Sequence, residues 1–176
     1  MILTGQEIIR QKKLGHIHIE PFCQEQVNPN SYNYRLGNII KWYQNSVLDP
    51  RVKQDVITQT IPEEGFVLYP GKIYLGHTLE IMGSDYYVPI IRGRSSTARL
   101  GLFVHVTADI IDIGSHNQWT LQLYAVQPVK IYPRMLIGQV TFWRVCGDIT
   151  LYHGKYQGLL GPQESQIYKD FETSKP

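Results

Sequence analysis

Between Ile91 and Asp112 the chain reads IRGRSSTARLGLFVHVTADIID, gathering Arg92, Arg94, Arg99, Ser95, Ser96, Asp109 and Asp112 in otherwise apolar surroundings. Serine is a favoured helix N-cap, and a helix N-terminus offers free N–H groups with a partial positive charge. If SSTARLG forms a helical turn, Ser95 and Arg99 fall on one face at i, i+4. Arg94 and Arg99 then bring forked donors to one region, which suits phosphate oxygens better than lysine would. A second reading needs no ligand: a capped helix whose arginines pair with Asp109 or Asp112 on the surface. The residue types leave both open.

Such a cluster needs a rigid support, and the neighbouring segments supply strand patterns. In QWTLQLYAV, Trp119, Leu121, Leu123 and Ala125 share one side, and Thr120, Gln122 and Tyr124 share the other. That polar side is a candidate wall for a site. In KIYLGHTLEI, Ile73, Leu75, Leu79 and Ile81 alternate as one half-buried strand requires. GFVLYPG, YYVPIIRG and MLIGQVTFWRV read as further strands bounded by turns. The clearest helix is TGQEIIRQKKLG, where Thr4 and Glu7 match a capping box and Gly15 can end the helix. Short strands at about ten-residue spacing predict an all-β sandwich or jelly-roll-like barrel. The Gly-rich tail HGKYQGLLGPQESQIYKDF is expected to pack on a surface.

The 176 residues, 43% hydrophobic, suit one soluble domain, residues 1–176, with a sizeable core. The segment MILTGQEIIRQKKLGH lacks the apolar run and cleavage site of a signal peptide, and nothing approaches a spanning helix. A net charge of +2 without a basic run argues against a nucleic-acid-tracking surface. Cys23 and Cys146 read as reduced packing residues of a cytoplasmic protein. His16, His18, His77, His105, His116 and His153 show no metal-ligand spacing. No H-x-E is paired with P-C-x-x-C, so the zinc deaminase signature is missing.

The run RGRSSTARLGLFVHVTADIID, with PNSYNYRLGN before it and MLIGQVTF and KYQG after it, resembles the dCTP deaminase branch of the dCTP deaminase/dUTPase superfamily. The resemblance extends from about Asn28 to Phe171. It implies a distorted β-barrel or jelly roll of the dUTPase-like type, with a short N-terminal helix. It also implies a homotrimer with sites shared between subunits, and zinc-free conversion of dCTP to dUTP and ammonia. Magnesium would accompany the triphosphate, and some members also hydrolyse it. By the resemblance, Arg94, Ser95, Ser96 and Arg99 hold phosphates and help place the attacking water. Thr107 and Ala108 lie near the cytosine ring, and Thr120 belongs to the nucleotide site. Asp112 meets the 3′-hydroxyl; a buried carboxylate there must find a donor, either that hydroxyl or Arg99. Gln139, Tyr152 and Lys155 match further nucleotide contacts, and the short interval between Tyr152 and Lys155 blurs their register.

The chain departs from the family where the base is processed. The family's I-D-P-G-[FW]-x-G-x-[IV]-T-L-E-[LF] becomes IDIGSHNQWTLQL, which puts Gln122 at the catalytic glutamate and Ile113 at the proline. An amide can hold a water but cannot take its proton near neutral pH. Losing a positioned base typically costs about 10²–10⁴ in rate. Leu159 replaces a glutamine at the triphosphate end. Three readings of Gln122 are open. It is an engineered isostere of glutamate, or it marks altered chemistry through a group such as Asp109 or His116, or the chain binds nucleoside triphosphates without turnover. A dUTPase-type diphosphohydrolase is the further alternative. Because the phosphate-side residues are the better retained, triphosphate binding is the firmer expectation.

Overall fold

The structure, a computed structural model, describes residues 1–172. Helix α1 spans Gly5–Lys13, and Thr4 Oγ1 accepts the Glu7 N–H at 3.3 Å, the cap that the sequence announces. The Glu7 carboxylate then runs along the helix to Gln11 and Arg10. Strands β1 (His18–Glu20), β2 (Val27–Asn28), β3 (Ser31–Arg35), β4 (Ile39–Tyr43) and β5 (Val56–Thr60) follow. Next come β6 (Phe66–Leu68), β7 (Tyr74–His77), β8 (Ile81–Gly83), β9 (Tyr87–Gly93) and the single turn α2 (Ser95–Ala98). The chain continues through β10 (Leu102–Phe103), β11 (Thr120–Ala125), β12 (Val129–Ile131) and β13 (Leu136–Arg144), then α3 (Tyr168–Glu172).

All strand pairs are antiparallel. One sheet has the order β10-β11-β7-β4-β5 and another β2-β3-β13-β9, with β1-β8 and β12-β6 as short ribbons. The protein is thus the expected β-rich fold with one short N-terminal helix, and its described strands pair as open sheets. Both large sheets feed one connected apolar core, with Tyr32, Tyr34, Tyr74, Leu121, Leu123, Val140 and Phe142 all buried. Burying a leucine such as Leu121 contributes roughly 1.5–3 kcal/mol. The alternation read in QWTLQLYAV holds: Trp119, Leu121, Leu123 and Ala125 are buried while Thr120, Gln122 and Tyr124 are partly open. Strand β5 is the outer margin of its sheet, exposed from Ile57 to Thr60.

The single strand expected from Ile73 to Ile81 is not formed. Tyr74 and Leu75 are both buried, and the chain turns between His77 and Ile81 to begin β8. The reason is Glu80, which is fully buried and surrounded by donors. Its carboxylate accepts from Arg35 Nε at 2.7 Å, Arg35 N at 2.9 Å and Gln26 Nε2 at 3.3 Å. Three donors let a carboxylate stay inside a protein. Thr78 completes the corner, donating to the Glu80 carbonyl at 2.8 Å and accepting the Trp119 N–H at 3.0 Å. Cys146 is exposed rather than packed, and Cys23 is partly buried; both thiols are free. No helix of the described residues is long and apolar enough to cross a membrane.

Candidate active site

The polar face of β11 is one wall of a cavity of about 480 Å³. Gln122 pairs with Leu75 across β7, and Leu75 pairs with Lys41 on β4, so the wall crosses three strands. Its rim is the hairpin that enters β11, with Ser115 and Asn117 buried at its base. Gly114 lets this hairpin meet the tail. It has φ 88°, and a Cβ there would stand 2.8 Å from Leu151 Cβ and 3.0 Å from Tyr152 N. The Tyr152 N–H donates to the Ile113 carbonyl at 2.9 Å across that approach.

The tail packs on the surface, as expected, and forms the opposite wall. Gly161 N donates to Gln118 Oε1 at 2.8 Å, Gln163 N to Thr120 Oγ1 at 2.9 Å, and Ser165 N to the Tyr43 hydroxyl at 2.9 Å. Lys41 Nζ meets Glu164 at 2.7 Å, and this hydrogen bond holds the Glu164 carboxyl below the usual carboxylate range. Gln118, Tyr43, Gln163 and Glu164 are lining residues that sequence reasoning missed. The one signal for Gln163 and Glu164 is the run of hydrogen-bonding side chains in GPQESQ.

Of the residues singled out in the sequence, Thr107, Asp112, Thr120, Gln122, Tyr152 and Leu159 line the cavity together. Ala108 is exposed beside Thr107. Asp112 is exposed too, so it carries no desolvation cost that a donor must offset; it sits on a turn, and its carbonyl accepts the Ser115 N–H at 3.1 Å. Gln122 Oε1 accepts the Val106 N–H at 3.3 Å, and Gln122 lines the cavity.

The other residues lie outside this wall. Arg94 occupies the N-cap position of α2 expected for a serine, and donates from Nη1 to the Leu136 carbonyl at 3.2 Å. Thr97 locks the turn by donating to the carbonyls of Arg94 and Ile137. Ser95, Ser96 and Arg99 are exposed, and their side chains have no partner among the described residues. Asp109 does pair with an arginine, but with Arg92, because strand β9 alternation points Arg92 outward beside it. Gln139, on β13, donates to the Gly93 carbonyl at 3.1 Å and accepts from Ser31 at 2.7 Å. Lys155 meets Asp170 at 2.6 Å, which raises its pKa. Burial lowers the pKa of His77 and His105.

A family model described as dCTP deaminase-like matches residues 2–145. The chain belongs to that family. A relative from Clostridium botulinum (strain Eklund 17B / Type B), named "dCTP deaminase, dUMP-forming", is 50% identical over 174 residues, covering 98% of this chain and 99% of its own. One of the same name from Cytophaga hutchinsonii is 47% identical over 98% of this chain and 99% of its own. The fold agrees with the crystal structure of a 2′-deoxycytidine 5′-triphosphate deaminase from Agrobacterium tumefaciens, with a TM-score of 0.64 at 20% identity. That match covers 80% of this chain and 47% of the other. The family resemblance seen in RGRSSTARLGL thus extends to nearly the whole chain.

Proposed function

We propose that the protein deaminates dCTP and carries the product on to dUMP, releasing ammonia and diphosphate. The observation that carries this reading is half-identity over almost the full chain to a relative named for that reaction, joined to a cavity lined by Thr107, Asp112, Thr120, Gln122, Tyr152 and Leu159. In this reading Thr107 and Ala108 meet the cytosine ring, and Asp112 accepts from the 3′-hydroxyl. The exposure of Asp112 suits a group arriving from outside. Gln122 holds the attacking water through its amide N–H.

Arg94, Ser95, Ser96 and Arg99 bind the triphosphate, and Gln139 braces their loop through Gly93. Ser95, Ser96 and Arg99 are exposed and lie off this chain's own cavity, which supports their serving a neighbouring subunit in a homotrimer. Lys155 and Tyr152 bring the tail to the phosphates. Among the described residues no group of three or more His, Cys, Asp or Glu side chains stands together. Magnesium arriving with the triphosphate would be held mainly by phosphate oxygens and water, as Mg²⁺ commonly is, and would neutralise the triphosphate charge.

The test is incubation with dCTP and magnesium, with base and phosphate products separated by chromatography and binding followed by calorimetry. The expected products are dUMP, ammonia and diphosphate. Binding without product would overturn the reading in favour of a catalytically silent nucleotide-binding paralogue. One observation favours a second reading, dUTP hydrolysis alone: the cavity is lined at position 122 by an amide, whose N–H would suit a uracil carbonyl better than a cytosine amine. In that case dUTP, and not dCTP, yields diphosphate.

A further inference from the structure

We propose that Glu164, which lines the cavity and is ion-paired with Lys41, is the general base of the deamination. This inference rests on the dCTP reading above. Two carboxylates line the cavity, Asp112 and Glu164. Asp112 sits on an exposed turn, whereas the Glu164 side chain is 26% exposed and paired with Lys41, itself 20% exposed.

Strand register sets where that pair stands. Cross-strand partners share a face of a sheet, so Gln122, Leu75 and Lys41 form one row over β11, β7 and β4. Their outer members are two strand spacings apart, about 10 Å. Leu75 floors the gap between them, where a flat ring can lie. The backbone of Glu164 is pinned on both sides, by Gln163 N on Thr120 and by Ser165 N on Tyr43. The tail thus brings a fixed carboxylate to the same cavity that Gln122 lines. Lys41 and, more weakly, Lys53 favour its charged form. Asp112, Tyr43, Tyr152 and Tyr156 are the other titratable groups lining the cavity.

The step balances with water as the only co-reactant. As the water oxygen bonds to C4, Glu164 takes one proton, the C4–N3 π electrons move to N3, and Glu164 protonates N3. The remaining hydroxyl proton then passes through Glu164 to N4 as the C4–N4 bond breaks, giving the C4 carbonyl and ammonia. Gln122 orients the water and Glu164 moves the protons.

The decisive variants are Glu164→Gln, Gln122→Glu, the double variant and Lys41→Met, each assayed for dCTP turnover, nucleotide binding and melting temperature. Glu164→Gln should lower kcat by about 10²-fold or more with nucleotide affinity and melting temperature unchanged. Adding Gln122→Glu should restore turnover by supplying a carboxylate on the facing wall. Lys41→Met should move the acid limb of the kcat/KM profile to higher pH, because the lysine holds the Glu164 pKa down. Unchanged turnover in Glu164→Gln overturns the proposal and leaves the deaminase reading standing. A loss matched by a lower melting temperature, without rescue, overturns it in favour of a structural latch. A native protein that does not deaminate dCTP overturns both.

Discussion

Gln122 accepts the Val106 N–H at its side-chain oxygen, so it braces the loop that carries Thr107 while its amide N–H has no partner among the described residues. That division of labour was half legible in the sequence: alternation in TLQLYA put Gln122 on the polar face, but its bond to Val106 depends on how the loop returns. Arg99 is the opposite case. Its side chain is exposed and engages nothing among the described residues, so its truncation should leave the fold intact. We expect Arg99→Ala to change unfolding free energy by no more than about 0.5 kcal/mol. The same change should raise the KM for dCTP by about tenfold or more, the worth of a charge-assisted hydrogen bond. Parallel denaturant melts and steady-state kinetics check the two halves. An equal loss in both would show that Arg99 supports the fold and does not hold phosphate.

At the scale of elements, local chemistry announced α1 and β11, where a cap and a period-two pattern decide the outcome within a dozen residues. It did not announce the corner at Thr78–Glu80. Leu79 and Ile81 continue the alternation, yet Glu80 is claimed by Arg35 and Gln26, which are 45 and 54 residues away in the chain. A distant polar network therefore overrode a short apolar pattern. The same network makes a firm prediction. Glu80→Ala should leave Arg35 short of its buried partner and cost about 3–5 kcal/mol, read as a fall in the urea midpoint. An exposed substitution such as Glu63→Ala, which breaks only the surface pair with Arg134, should cost about 1 kcal/mol or less.

At the scale of the whole molecule, the tail could be read as a surface-packing segment but not as a cavity wall. Gln163 meets Thr120 across 43 residues and Lys41 meets Glu164 across 123, and no local period encodes such distances. The proposed division of Arg99 and Asp112 between subunits can be checked by mixing. Arg99→Ala and Asp112→Ala chains, each impaired alone at dCTP well below KM, should regain activity when refolded together. Random assortment restores roughly a quarter of the sites in a closed ring. Continued silence of the mixture would assign Arg99 and Asp112 to one subunit's site. Strand β5 carries a last consequence. Its far side pairs with no described strand, and Val56–Thr60 has neither charge nor proline to repel a foreign strand. Concentrated stocks should therefore begin to aggregate along this margin, and a lysine in place of Thr58 should keep them clear.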